Sequence, residues 1–155
     1  MIDDGSLELV LWRHADAEDG APDLRRALTK RGRKQASGIA RWLQDRLPKN
    51  YRMIVSPATR AQQTAAALVA EFETDERVDV GAGARQVLAA LGWGEASGTL
   101  IVVGHQPTLG RVAALLVSGA EQDWPIKKGA VWWLSQRSRG DERAALRAVI
   151  SPEMV

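Results

Sequence analysis

The sequence predicts an α/β domain: a single three-layer unit with a mainly parallel sheet, helices on both faces and an antiparallel C-terminal edge. Three observations point there. Compact apolar runs alternate with stretches whose apolar residues recur at helical spacing, and that alternation builds βαβ units. The last two runs are joined by a short polar turn, which makes an antiparallel pair. The length, 155 residues, suits one domain spanning residues 1–155.

The elements follow in order. Residues 7–12 (LELVLW) form a buried strand. Residues 16–28 are polar and irregular, with Gly20 and Pro22, and make a long loop. Thr29 is placed to cap a helix in which Ala36, Ile39, Ala40, Leu43 and Leu47 share a face, closed by Pro48. Residues 51–55 (YRMIV) are a second strand. Residues 58–72 read as a helix with Ala61, Ala65, Leu68 and Phe72 facing inward. Residues 77–80 read as a short strand, and 84–91 as a short helix that Gly92 and Gly94 terminate. Residues 99–103 (TLIVV) are the clearest strand. A helix over 107–117 follows, with Leu109, Val112, Ala113 and Leu116 inward. Strands at 130–134 and 145–150 flank a turn at 138–141.

Composition narrows the function classes. There is no cysteine, so disulfides, thiol chemistry and Cys-zinc sites are excluded. Two histidines, His14 and His105, are too few for a His-rich metal site. No apolar run reaches the ~18–20 residues of a membrane span. The first five residues show no basic-then-apolar leader pattern. These features predict a cytoplasmic protein with no membrane partner. Twenty-one basic residues against nineteen acidic give a net charge of only +2. The densest cluster, residues 30–34 (KRGRK), is short and reads as a solvated helix start. No nucleic-acid partner is predicted.

Three segments sit where parallel strands end, the place where open α/β sheets bind ligands. Arg13 and His14 follow the first strand, residues 56–60 (SPATR) the second, and residues 104–107 (GHQP) the strand at 99–103. The topology therefore brings Arg13, His14, Arg60 and His105 toward one crevice. Arginine forks match tetrahedral oxyanions, and neutral imidazole is a nucleophile. Phosphoryl transfer requires mainly positioning and charge neutralisation. With neither a P-loop nor a carboxylate cluster to hold Mg²⁺, this set reads as a metal-free, cofactor-free phosphoryl-transfer site.

Residues 9–17 (LVLWRHADA), 28–32 (LTKRG), 55–65 (VSPATRAQQTA) and 102–107 (VVGHQP) resemble the histidine phosphatase superfamily, and their order in a short chain resembles its SixA-type phosphohistidine phosphatases. The resemblance runs from about residue 7 to 151 and implies a phosphoglycerate-mutase-like fold. It implies that His14 is the nucleophile, that Arg13 and Arg60 bind phosphate oxygens, and that His105 donates to the phosphoryl group. Arg26 falls near an arginine often found before the LT motif and is a further candidate for phosphate binding. Ala15 stands where the family usually has glycine, and its methyl would crowd a turn that needed positive φ. The family's glutamate acid has no counterpart near residues 78–83; Asp79 and Asp16 are weak stand-ins. Since imidazole leaves more readily than an alkoxide, a site lacking that acid suits phosphohistidine.

The expected substrate is a histidine-phosphorylated protein, either a phosphotransfer domain or a phosphocarrier, acted on by a monomer whose pocket accepts phosphate or sulfate. The alternatives are a small-molecule phosphomonoesterase of the same superfamily and a catalytically weak phosphoprotein-binding module. A mutase is disfavoured by the absence of long insertions. Each residue also has a plainer reading: His14 as a buried hydrogen-bonded histidine, His105 as a strand end, Ser56 as a helix cap. Trp42, Trp132 and Trp133 read as packing. Trp12 either packs or shapes the pocket floor, and Trp93 and Trp124 lie in loops.

Overall fold

An apolar run this continuous must be covered on both faces, and β1 (Leu7–Arg13) lies inside a six-stranded sheet of order β3-β2-β4-β1-β5-β6. A computed structural model describes residues 6–136 and 138–155. β2 (Arg52–Val55), β3 (Glu73–Thr74) and β4 (Gly98–Gly104) run parallel to β1, with Leu11 beside Val102 and Ile54 beside Val102. β5 (Val131–Gln136) pairs antiparallel with β1, and β6 (Ala144–Ile150) antiparallel with β5 at the edge. Among the described residues no helix is long and apolar enough to cross a membrane.

Alternation along β1 sorts the helices. Leu7, Leu9 and Leu11 face α3 (Ala84–Leu91) and α4 (Thr108–Ser118). Val10 and Trp12 face α1 (Lys30–Gln44) and α2 (Thr59–Ala66). The helix after β1 thus lies on one face and the helix after neighbouring β4 on the other. This reversal opens a crevice between the C-terminal ends of the two strands.

Two expectations are corrected. The helix expected over 58–72 stops at Ala66, where Ala67 and Leu68 donate to Thr64 and Ala65 in tighter three-residue turns. The chain is freed there to pair residues 73–74 with β2. The strand expected at 77–80 is instead that earlier pair, and Glu76–Val78 is a 3₁₀ turn. The Asp75 side chain accepts from the Arg77 N–H and starts that turn. The edge strand was misplaced because local chemistry outcompeted weak β pattern.

Thr29 caps α1 as expected, its Oγ1 accepting from Gly32 N at 2.9 Å. Gly32 has a second role. A Cβ built there would collide with the backbone carbonyl of Asp16, so α1 lies directly against the chain leaving β1. Gly38, in the same helix, would meet only the Val155 side chain at 3.3 Å. Gly32→Ala is expected to destabilise the fold by about 1–3 kcal/mol in urea denaturation. Gly38→Ala is expected to lie within ~1 kcal/mol of wild type, with helix propensity in its favour.

Candidate active site

The site is built on the turn that leaves β1. His14 N donates to Gly104 O at 3.0 Å, tying the ends of β1 and β4. Ala15 N donates to the buried Thr64 hydroxyl at 3.0 Å, and Thr64 donates in turn to Arg60 O at 2.8 Å. Asp16 N donates to Gln35 Oε1 at 2.9 Å. Gly129 N donates to both Arg13 O and His14 O. Four elements therefore clamp three consecutive residues. Ala15 has no positive φ, so the methyl in place of the family's glycine is unstrained, and it packs with Leu28 and Ala36.

Arg13, His14, Arg60 and His105 converge there. The imidazole centroids are 5.1 Å apart. Both rings are buried, as is Arg60, which is 4% exposed. His14 Nδ1–H donates to Ala15 O at 2.7 Å, which leaves the lone pair on Nε2. Arg60 Nε–H points at that lone pair from 3.4 Å. Burial pushes the His14 pKa down to about 3, with His105, Arg60 and Arg13 adding to the fall and the Ala15 carbonyl opposing it. Burial likewise lowers His105 to about 4, with Arg60 and Arg13 adding and Asp23 opposing. His14 is therefore a neutral nucleophile-type imidazole at neutral pH. Arg13 donates from Nη1 to Ile126 O at 2.7 Å, and its buried Nε has no partner among the described residues.

The carboxylates are all engaged. Asp16 accepts from the Thr29 hydroxyl and pairs with Lys128, which together lower its pKa. Asp23 comes from the 16–28 loop, closed at its base by Glu18 N to Ala27 O and Thr29 N to Asp16 O. It binds Arg60 through its carbonyl at 2.8 Å and its carboxylate at 3.1 Å. Arg26 and Arg60 hold Asp23 ionised. Arg26 donates to Glu18 O at 2.7 Å and Asp23 Oδ1 at 2.9 Å, which places it beside the Asp23–Arg60 pair. Ser56, read as a helix cap, accepts from Ala58 N, but Ala58 is the capping position of α2, and the Ser56 hydroxyl also contacts Asp79 and His105.

Sequence reasoning missed Asp23 and Thr64. Thr64 lies four residues after Arg60 on one helix face, a spacing that could have marked it. Asp23 meets Arg60 across 37 residues, and nothing local signals that. Among the described residues, no group of three or more His, Cys, Asp or Glu is placed to hold a metal ion. Beside Arg13 a groove of about 580 Å³ is bordered by Arg31, Lys127 and Lys128, with Asp16 and Glu153 opposing them. A cleft of about 590 Å³ lies elsewhere, near Trp93 and Arg143. Neither cavity is lined by His14 or His105; the groove lies beside the site only through Arg13 and Asp16, so the chemistry of the side chains rather than cavity size marks the site.

Residues 9–81 match the family model of the histidine phosphatase superfamily, branch 1. An uncharacterised protein of Mycobacterium tuberculosis (strain H37Rv) is 37% identical over 111 residues, 68% of this chain and 70% of that one. An uncharacterised protein of a Picosynechococcus species is 36% identical over 123 residues, 73% and 74% of the two chains. A SixA-type structure from Nakamurella multipartitia superposes with TM-score 0.76 at 28% identity, covering 97% of this chain and 99% of that one.

The chain belongs to the histidine phosphatase superfamily.

Its fold is of the SixA type. The protein histidine phosphatase SixA complexed with tungstate superposes with TM-score 0.78 at 23% identity, covering 94% and 97% of the two chains. Membership and the structural likeness together indicate a phosphatase, and so a hydrolase.

Two outcomes follow from this geometry. The Asp23 carboxylate competes with an incoming anion for Arg60, so Asp23→Asn should tighten inorganic phosphate binding by about 3–10-fold, measured by calorimetry. The unfolded chain takes up a proton on each imidazole below about pH 6.5. The folded chain does so only near 3 and 4. Stability should therefore rise with pH across that window and fall on the order of 4 kcal/mol from pH 7 to 4.5. Replacing both histidines by Asn should flatten this slope in urea denaturation.

Proposed function

We propose that the chain is a phosphohistidine phosphatase, which removes phosphate from a histidine-phosphorylated protein through a covalent phosphohistidine on His14. The carrying observation is the state of the site's carboxylates beside an uncharged His14. Asp16 and Asp23 are ion-paired and held ionised, and Asp79 is hydrogen-bonded behind Ser56. None is set to hand a proton to a leaving group. An alkoxide needs such an acid, whereas an imidazole, with a conjugate-acid pKa near ~6.5, departs without it.

In the first step the Nε2 lone pair of His14 attacks phosphorus. The Nε2–P bond forms as the P–N bond to the substrate ring breaks; that ring arrives protonated on its other nitrogen and leaves as neutral imidazole, its positive charge passing to His14, so one phosphoramidate replaces another. The Ala15 carbonyl favours this step, because it keeps the proton on Nδ1 and stabilises the ring as it gains positive charge. Arg60 and Arg13 supply N–H donors to the equatorial oxygens, and His105 adds a third contact. Arg60 must exchange Asp23 and His14 for phosphate. In the second step water attacks phosphorus, and His14 leaves as the imidazole. No metal or cofactor enters the scheme. The groove beside Arg13, with four cations against two carboxylates, suits an acidic surface around the phosphohistidine of a phosphotransfer domain or phosphocarrier.

Phosphate release should be followed from a phosphohistidine protein, an aryl phosphate and an alkyl phosphate, with EDTA present. Phosphohistidine should be turned over fastest and the alkyl ester slowest, and His14→Ala should abolish all turnover. His105→Ala should lower kcat by about 10²–10³-fold. Equal turnover of the alkyl ester would point instead to a small-molecule phosphomonoesterase. Phosphate binding with no turnover of any substrate would point to a binding module.

A further inference from the structure

His105 has two ring nitrogens with opposite fates. Nε2 lies 2.8 Å from Ser56 Oγ. Nδ1 is buried without a partner among the described residues. The Ser56 hydroxyl has one proton, and the Asp79 carboxylate, an acceptor 3.1 Å away, takes it. Ser56 Oγ also accepts from Ala58 N at 3.1 Å. Its remaining role toward His105 is that of acceptor, so Nε2 must carry the hydrogen. Asp79 is itself held by Val80 N at 2.7 Å. The neutral ring therefore presents a bare Nδ1 lone pair, which is the wrong polarity for an anion's oxygen.

We propose that Asp79 and Ser56 form a relay that fixes His105 as the Nε2–H tautomer and holds it in place while Nδ1 takes up a proton as an anion enters the site. Ser56 and Asp79 are positioning residues in this account, since both act through His105. The relay rests on the phosphoryl-site reading and adds to it which nitrogen contacts phosphate and where the proton comes to lie. When the substrate arrives as a monoanion, its own P–OH proton passes to Nδ1, and the O–H bond becomes an Nδ1–H donor to the same oxygen. When it arrives as a dianion, the proton comes from solvent. In both cases the ring ends as imidazolium, with the Asp79 charge two hydrogen bonds away.

The other charges around His105 fit this role. Arg60 from α2 and Arg13 from the end of β1 disfavour the cation, and Asp23 from the 16–28 loop favours it. His14 faces it across 5.1 Å and is uncharged. In the unliganded site the balance leaves His105 neutral, and an anion in contact with Nδ1 reverses it. Asp79 takes on a role other than that of the missing acid, for which it was a candidate. Its carboxylate is engaged by the Ser56 hydroxyl and by Val80 N.

Inorganic sulfate tests the relay without turnover, because it stays dianionic across the neutral range. Its affinity should fall about tenfold per pH unit between the pKa of free His105 and the higher pKa of liganded His105, with one proton taken up per sulfate across that window in buffers of differing ionisation enthalpy. Asp79→Asn keeps the hydrogen-bonding shape but removes the charge. It should move that limb to lower pH and weaken sulfate about tenfold at pH 7. Ser56→Ala should do the same, and Ser56→Thr should restore binding. Since the chain has two histidines, ¹⁵N spectra of a His14→Asn variant report His105 alone. They should show Nε2–H without sulfate and both nitrogens protonated with it. Sulfate binding without proton uptake, or an unmoved limb in Asp79→Asn, would overturn the relay and leave the phosphatase reading intact. Absence of sulfate binding would overturn both.

Discussion

Everything in this site depends on keeping one imidazole uncharged, buried and aimed while placing it among fixed positive charges. Burial and the neighbouring arginines make the His14 cation costly, so the ring is uncharged at neutral pH. The Ala15 carbonyl then decides which nitrogen carries the lone pair. The arrangement works only if the backbone of residues 14–16 cannot move, because a shift of ~1 Å misaligns a nucleophile. Hence the density of anchors: Gly104, Thr64 and Gln35 each bind one peptide group of the turn, and Gly129 binds two. Gly32 lets α1 lie against the same turn without a side chain between them.

The electrostatics have a second layer. Arg13 and Arg60 both bear on the charge of His14 and His105. Each is met by acceptors of the chain itself, the Ile126 carbonyl for Arg13 and the Asp23 carbonyl and carboxylate for Arg60. The Asp23 contact also links the loop after β1 to helix α2. Arg26 supports that contact from outside.

Much of this could be read in advance. The four central elements, the Thr29 cap, the three strand-end segments and the convergence of Arg13, His14, Arg60 and His105 were legible, because each depends on local pattern or on the rule that strands present ligands at one end. The failures have physical reasons. Residues 73–80 form a short edge where an Asp75 turn outcompetes β pairing, and a two-residue strand carries almost no periodic signal. Ser56 reads as a cap from its position, while its hydroxyl serves His105, 49 residues away.

The sequence by itself determined the α/β class, the placing of chemistry at the ends of β1, β2 and β4, and the residue types that grip an oxyanion. Those follow from apolar period and from the functional groups of arginine and histidine, both local properties. Only the tertiary structure decided which imidazole nitrogen carries the lone pair, which carboxylates are engaged and which histidine lies behind Ser56. Hydrogen-bond direction and desolvation depend on groups brought together from distant parts of the chain. A side chain's protonation is set by the few ångströms around it.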